Sequence, residues 1–140
     1  MLPEVHAHMK NLFKKEERLC NKRLINALYQ SGSSFILYPF KVVYHATDEL
    51  GVPAQVLISV PKRRFKRAVD RNLLKRRIRE AFRLQKNSLL YPFLGEGHIL
   101  LSIQYIGKTI EEYDLIFKRM TGLFLKLQDE YSKVHLEQDN

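Results

Sequence analysis

Cysteine is almost absent: Cys20 is the only one in 140 residues, so no internal disulfide can form. A reducing, cytoplasmic setting is expected on that ground. No apolar run approaches the roughly 20 residues that a membrane span needs. The opening stretch MLPEVHAHMK has no apolar core ahead of a small-residue cleavage site, so no secretion signal is expected. Internal repeats and low-complexity tracts are missing. The five histidines (His6, His8, His45, His98 and His135) never share a zinc-type spacing with Cys or acids; His6 and His8, two apart, come nearest. Acidic residues are scattered, and the neighbours Glu16–Glu17 and Glu111–Glu112 point in different directions on a helix. Two-metal nucleases gather carboxylates, so nothing here suggests a nuclease that works with its own side chains. No catalytic residue is expected.

What the chain does have is basic charge, concentrated in one place. The net charge is +9, and residues 62–86 hold twelve of the 24 Lys and Arg but two of the 15 Asp and Glu. That window is +10; the remaining 12 basic and 13 acidic residues leave −1 for everything else. A nearly neutral domain with one basic feature faces a polyanion. At 140 residues and 45% hydrophobic content, a single domain is expected, with a core over about 13–130 between a loose start and a polar, frayed tail from about 132.

Periodicity supplies the elements. FKKEERLCNKRLINALYQSG (13–32) reads as a helix, with Leu24, Ile25 and Leu28 at helical spacing and Gly32 as its stop. FKVVYHA alternates Phe40, Val42, Tyr44 and Ala46 against Lys41, Val43 and His45, a strand that Pro39 restricts to a bulge, an edge or a strand start. QVLISV is a second strand. A loop over 62–66 leads to a helix over about 67–87, YPFLGEG is a loop, HILLSIQYI a buried strand, and Thr109 caps a last helix over about 110–130. The order α-β-β-α-β-α is an α+β layout around a small sheet.

On the central helix, at about 100° per residue, Leu74, Ile78, Ala81 and Phe82 share one arc of about 100°. Asn72, Lys75, Arg76, Arg79, Arg83 and Lys86 share a second arc, and Arg71 breaks the sorting. Val69, Leu73 and Leu84 form another apolar patch that can also pack. A solvated charged face is the plain reading of such a helix. It fits poorly, because Lys75–Arg79 and Arg79–Arg83 are like-charged i,i+4 pairs, which cost about 0.2–0.5 kcal/mol each where opposite charges would gain it. A phosphate backbone relieves that repulsion and releases counterions, and the arginine fork suits its oxygens.

These residues carry a resemblance. Phe65, Ala68, Arg71, Asn72, Leu74, Lys75, Arg76, Ile78 and Arg79, followed by EAFR (80–83) and preceded by SVPKR (59–63), resemble the signature of the protein subunit of bacterial ribonuclease P. Weaker likeness in ERL (17–19), YQSG (29–32) and the last strand and helix extends it over roughly 13–130. Leu73 departs from the family's common Arg-Asn-Arg, and QYIGK departs from its basic residue and Pro after the last strand.

The resemblance implies an α/β sandwich with a left-handed β-α-β crossover, where general rules expect a right-handed one. It implies a subunit without catalytic residues, which binds the catalytic RNA subunit and precursor tRNA and supports Mg²⁺-dependent removal of the 5′ leader, the Mg²⁺ being held mainly by RNA. It implies RNA contacts at Arg18, Lys62, Arg63, Lys66, Arg67, Arg71, Asn72, Lys75, Arg76, Arg79 and Arg83, and leader contacts at Tyr29 and Tyr44, where stacking tolerates any base. Ordinary core or rim tyrosines are the alternative. No obligate protein partner is evident. A DNA-binding or ribosome-assembly module would use the same helix; a membrane-surface helix fits less well, since the apolar arc suits a core.

Overall fold

The computed structural model describes residues 12–48 and 50–139, with side chains up to 133. The expected loose start with His6 and His8, and the His135 side chain, lie outside the described residues. The helix expected from residue 13 begins only at α1 (Lys22–Ser31), because the Asn21 side chain caps it by accepting from the N–H groups of Arg23 and Leu24 at 2.9 and 3.3 Å. Ahead of it, a 3₁₀ turn (Lys15–Glu17) and an extended stretch form a strap. Gly32 ends α1: any side chain there would meet the carbonyl oxygen of Leu28 at 2.3 Å and that of Tyr44 at 2.9 Å.

Four strands follow the chain as β1 (Ser33–Leu37), β2 (Phe40–Ala46), β3 (Ala54–Ser59) and β4 (Ile99–Tyr105). β1 is not in the expected order: it is a five-residue edge strand paired antiparallel to β2 across a turn at Tyr38–Pro39, and β2 starts directly after the proline. The sheet order is β1-β2-β4-β3, with β2 antiparallel and β3 parallel to β4. The long helix α2 (Ala68–Leu89) makes the crossover from β3 to β4. The stretch YPFLGEG is not all loop but holds one helical turn, α3 (Tyr91–Leu94), closed by Gly95 at φ +59°. The last helix, α4 (Tyr113–Asp139), starts later and runs further than expected. Thr109 does not cap it; its hydroxyl donates to the Glu111 carboxylate at 3.1 Å.

Strand pairing sorts side chains onto two faces. Phe35, Phe40, Val42, Tyr44, Val56, Ile99, Leu101, Ile103 and Tyr105 face α2 and α4 and form the main core with Leu74, Ile78, Phe82, Met120 and Phe124. On the other face α1 lays Leu24 and Leu28 over Leu100, with Val43 and Leu57 beside them. The architecture is a mixed α+β single domain, a sheet with helices on both faces. Among the described residues no helix is long and apolar enough to cross a membrane.

Candidate nucleic-acid interface

The buried residues of α2 are Leu74, Ile78, Ala81, Phe82, Gln85 and Lys86. The first four are the apolar arc expected. The second apolar patch does not pack on the core: Val69 is 59% exposed and Leu84 also lies open. The loop before the helix is pinned by Phe65, buried against the Tyr105 ring at 5.8 Å. Lys62, Arg63, Lys66 and Arg67 stand exposed around that anchor.

The basic residues then divide by what they touch. Asn72, Arg76 and Arg79 are exposed and Lys75 is half-buried. Among the described residues, no carboxylate pairs with Lys62, Arg63, Lys66, Lys75, Arg76 or Arg79. Others are engaged inside the protein. Arg71 donates from one nitrogen to the carbonyls of Phe65 and Lys66 at 2.7 and 2.8 Å, which ties the basic loop to the helix start. Arg64 donates to Ile106 O at 2.7 Å, and Arg77 to Glu111 O at 2.6 Å. Arg83 grips Glu80 with hydrogen bonds of 3.0 and 2.5 Å; those bonds hold the Glu80 carboxyl below the usual carboxylate range and raise the arginine. Arg67 comes only within 4.0 Å of Asp70.

Lys86 does not join the exposed basic arc. It sits on the arc of Arg79 but is 1% exposed. Its ammonium pairs with the Glu17 carboxylate and donates to Leu12 O, with the Phe13 and Tyr91 rings 5.6 and 5.5 Å away. Tyr91 donates its hydroxyl to the same carboxylate. Burial pulls the Lys86 pKa down against the pull of Glu17, and burial pushes Tyr91 far up. This cluster fastens the strap across α2 and α3.

The two tyrosines expected to meet the leader lie on opposite faces. Tyr29, on α1, is 53% exposed, and its hydroxyl is 2.7 Å from Ser102 Oγ on the α1 side of the sheet. Tyr44 is 4% exposed on the core side, packed on Phe35 at 6.1 Å, and burial raises its pKa. It is a core residue, because it shares the strand parity of Phe40 and Val42. The expectation of a stacking platform there is withdrawn. Sequence reasoning missed Tyr38 and Ile36, 52% and 58% exposed on the β1–β2 hairpin; the signal was SSFIL, a short strand-like run between Gly32 and Pro39. Arg18 is exposed on the strap, its guanidinium 5.9 Å from the Phe13 ring centre.

A family model described as ribonuclease P matches residues 13–128. The chain belongs to the ribonuclease P protein family. A ribonuclease P protein component of Porphyromonas gingivalis is 43% identical over 93 residues, covering 66% of this chain and 67% of that one. One from Chlorobium phaeobacteroides is 32% identical over 126 residues, covering 81% and 86%. Among solved structures, the ribonuclease P proteins of Staphylococcus aureus and Thermotoga maritima superpose with a TM-score of 0.62 each, at 24% and 21% identity, over 79% and 77% of this chain and 94% of each of theirs. Those likenesses show the shared α+β fold. Family membership places this ribonuclease P protein in tRNA processing.

Proposed function

We infer that this chain is the protein subunit of a ribonucleoprotein endonuclease. In this reading it binds the catalytic RNA through the outer face of α2 and the loop before it, and RNA carries out the cleavage. The observation that carries it is the division of the basic residues. Arg64, Arg71, Arg77, Arg83 and Lys86 are each paired with a carboxylate or carbonyl of the protein, whereas Lys62, Arg63, Lys66, Lys75, Arg76 and Arg79 form a surface without acidic partners among the described residues. Cations left unpaired at that density are stabilised by a polyanion. Arg67, Asn72 and Arg83 border this surface. Arg71 serves it indirectly by holding the loop.

The single-stranded 5′ leader of precursor tRNA runs along the α1 side of the sheet, where Tyr29 is exposed and is tethered through its hydroxyl to Ser102. Stacking there recognises a base without selecting which one. Among the described residues, no three His, Cys, Asp or Glu side chains come together to hold an ion. In this reading the Mg²⁺ belongs to the RNA and substrate. The test is reconstitution with the RNA subunit and a precursor tRNA. The expected result is accurate 5′ cleavage at low Mg²⁺ only when both subunits are present. Robust cleavage by RNA-free protein overturns the reading.

A further inference from the structure

The strap crosses the sheet beside its open edge. Leu19 N–H donates to Val56 O at 2.9 Å, and Arg18 bridges Val56, the only pairing on the outer side of β3 among the described residues. Past Val56 that edge faces a groove of about 170 Å³ whose walls include Phe13, Arg18, Cys20, Val56, Ile58 and Arg79. We propose that this groove takes one unpaired nucleotide of the RNA subunit, its base against the apolar floor and its flanking phosphates on Arg18 and Arg79. The proposal rests on the RNA-binding reading above and adds a site for one unpaired base to it.

Three features point to this occupant. The volume falls well below the roughly 300–1,000 Å³ of sites for drug-sized ligands, and it suits a single planar ring. Phe13, Val56 and Ile58 supply an apolar floor, while two exposed guanidiniums stand at the rim with no ion-paired carboxylate among the described residues. That combination is complementary to a base with phosphates on either side. The uncovered β3 edge also offers main-chain donors and acceptors, the groups that read the edge of a splayed-out base. Arg79 lies on the same helix arc as Asn72 and Lys75, so the groove opens onto the surface assigned to the RNA subunit and not onto Tyr29.

Cys20 makes the groove directly testable, being the only cysteine, exposed, and on its wall. In the full-length protein a small alkylating reagent should modify Cys20 readily, and the RNA subunit alone should suppress that reaction. Cys20→Phe, which fills the groove from an exposed position, should weaken RNA-subunit binding about ten- to a hundredfold, the range for one stacked base, and lower the salt slope by no more than the loss of the phosphate contacts on Arg18 and Arg79 accounts for. Cys20→Ser should bind normally. Protection by precursor tRNA but not by the RNA subunit would assign the groove to substrate and overturn the proposal. So would a Cys20 that is unreactive in the free protein, which would mean that the chain itself closes the groove. If Lys75→Ala and Arg76→Ala lower the salt slope while Cys20 stays reactive in the complex and Cys20→Phe is neutral, the groove fails and the RNA-binding reading stands. If no complex forms with the RNA subunit, both fail.

Discussion

Replacing Lys86 with Ala separates internal charge from surface charge on α2. In the native protein its ammonium holds the Glu17 carboxylate, 6% exposed, together with Leu12 O. Truncation leaves that carboxylate with the Tyr91 hydroxyl and the Lys14 N–H as its remaining donors in a buried place. Breaking a buried pair from one side costs about 3–5 kcal/mol, a large part of the roughly 5–15 kcal/mol that a domain has. At about 3–4 °C per kcal/mol for a domain of this size, the melting temperature should fall by roughly 10–20 °C. Lys86→Met with Glu17→Leu removes both charges and should recover most of that loss, giving a coupling in the double-mutant cycle. Below its melting temperature, Lys86→Ala should bind the RNA subunit with an unchanged dependence on salt. Thermal unfolding by circular dichroism and binding at several salt concentrations measure both quantities. A normal melting temperature with a log–log salt slope reduced by about 0.7–0.9 would make Lys86 a phosphate contact and refute the buried clamp.

Arg76→Ala and Arg79→Ala should show the opposite pattern, each lowering the salt slope by about 0.7–0.9 while stability stays within about 0.5 kcal/mol; urea unfolding alongside salt-titrated binding reads this. Leu74→Ala and Phe82→Ala, both fully buried, should each cost about 2–5 kcal/mol, seen as a lower urea midpoint. Tyr29→Ala should weaken precursor tRNA binding by about 1–3 kcal/mol and leave mature tRNA unaffected, whereas Tyr44→Ala should lower the melting temperature first; equal losses for both tRNAs with Tyr29→Ala would remove the leader from that face. Burial pushes the Tyr105 phenol up to about 12 from an ordinary 10, while it donates to Thr109 O and accepts from Glu111 N–H. Above pH 10 the unfolded chain loses this proton first, so the contribution is complete below pH 10 and lost as pH rises towards 12, a change of about 2–3 kcal/mol at full ionisation. Tyr105→Phe should be less stable at neutral pH and lose that part of the alkaline decline.

Local patterning was legible wherever one face of an element is buried throughout. β2 has the expected limits because alternation is strict over seven residues, and α2 buries the apolar arc because its repeat follows the helical turn. β1 was not legible. It is five residues long, lies at the sheet edge and buries one side chain, Phe35, so it carries too little periodicity to stand out. The strap was mistaken for helix because its contacts are with β3 and α2, distant in sequence. In the site, the sequence alone located the basic window and the family. It could not tell Lys86 from Arg79, which lie about 20° apart on the same arc. An arc gives a direction around the helix axis but not what stands in that direction two turns further on, and at Lys86 that is Glu17 and Tyr91. For Tyr44, parity with Phe40 and Val42 already placed it on one face of the strand; which face met the helices followed only once β4 had paired beside β2. Composition, periodicity and signature residues thus determined that this is an α+β chain of the ribonuclease P protein family with one basic surface. Long-range pairing decided which charges remain open at the surface, because a charge is available to a partner only where folding has not already supplied one.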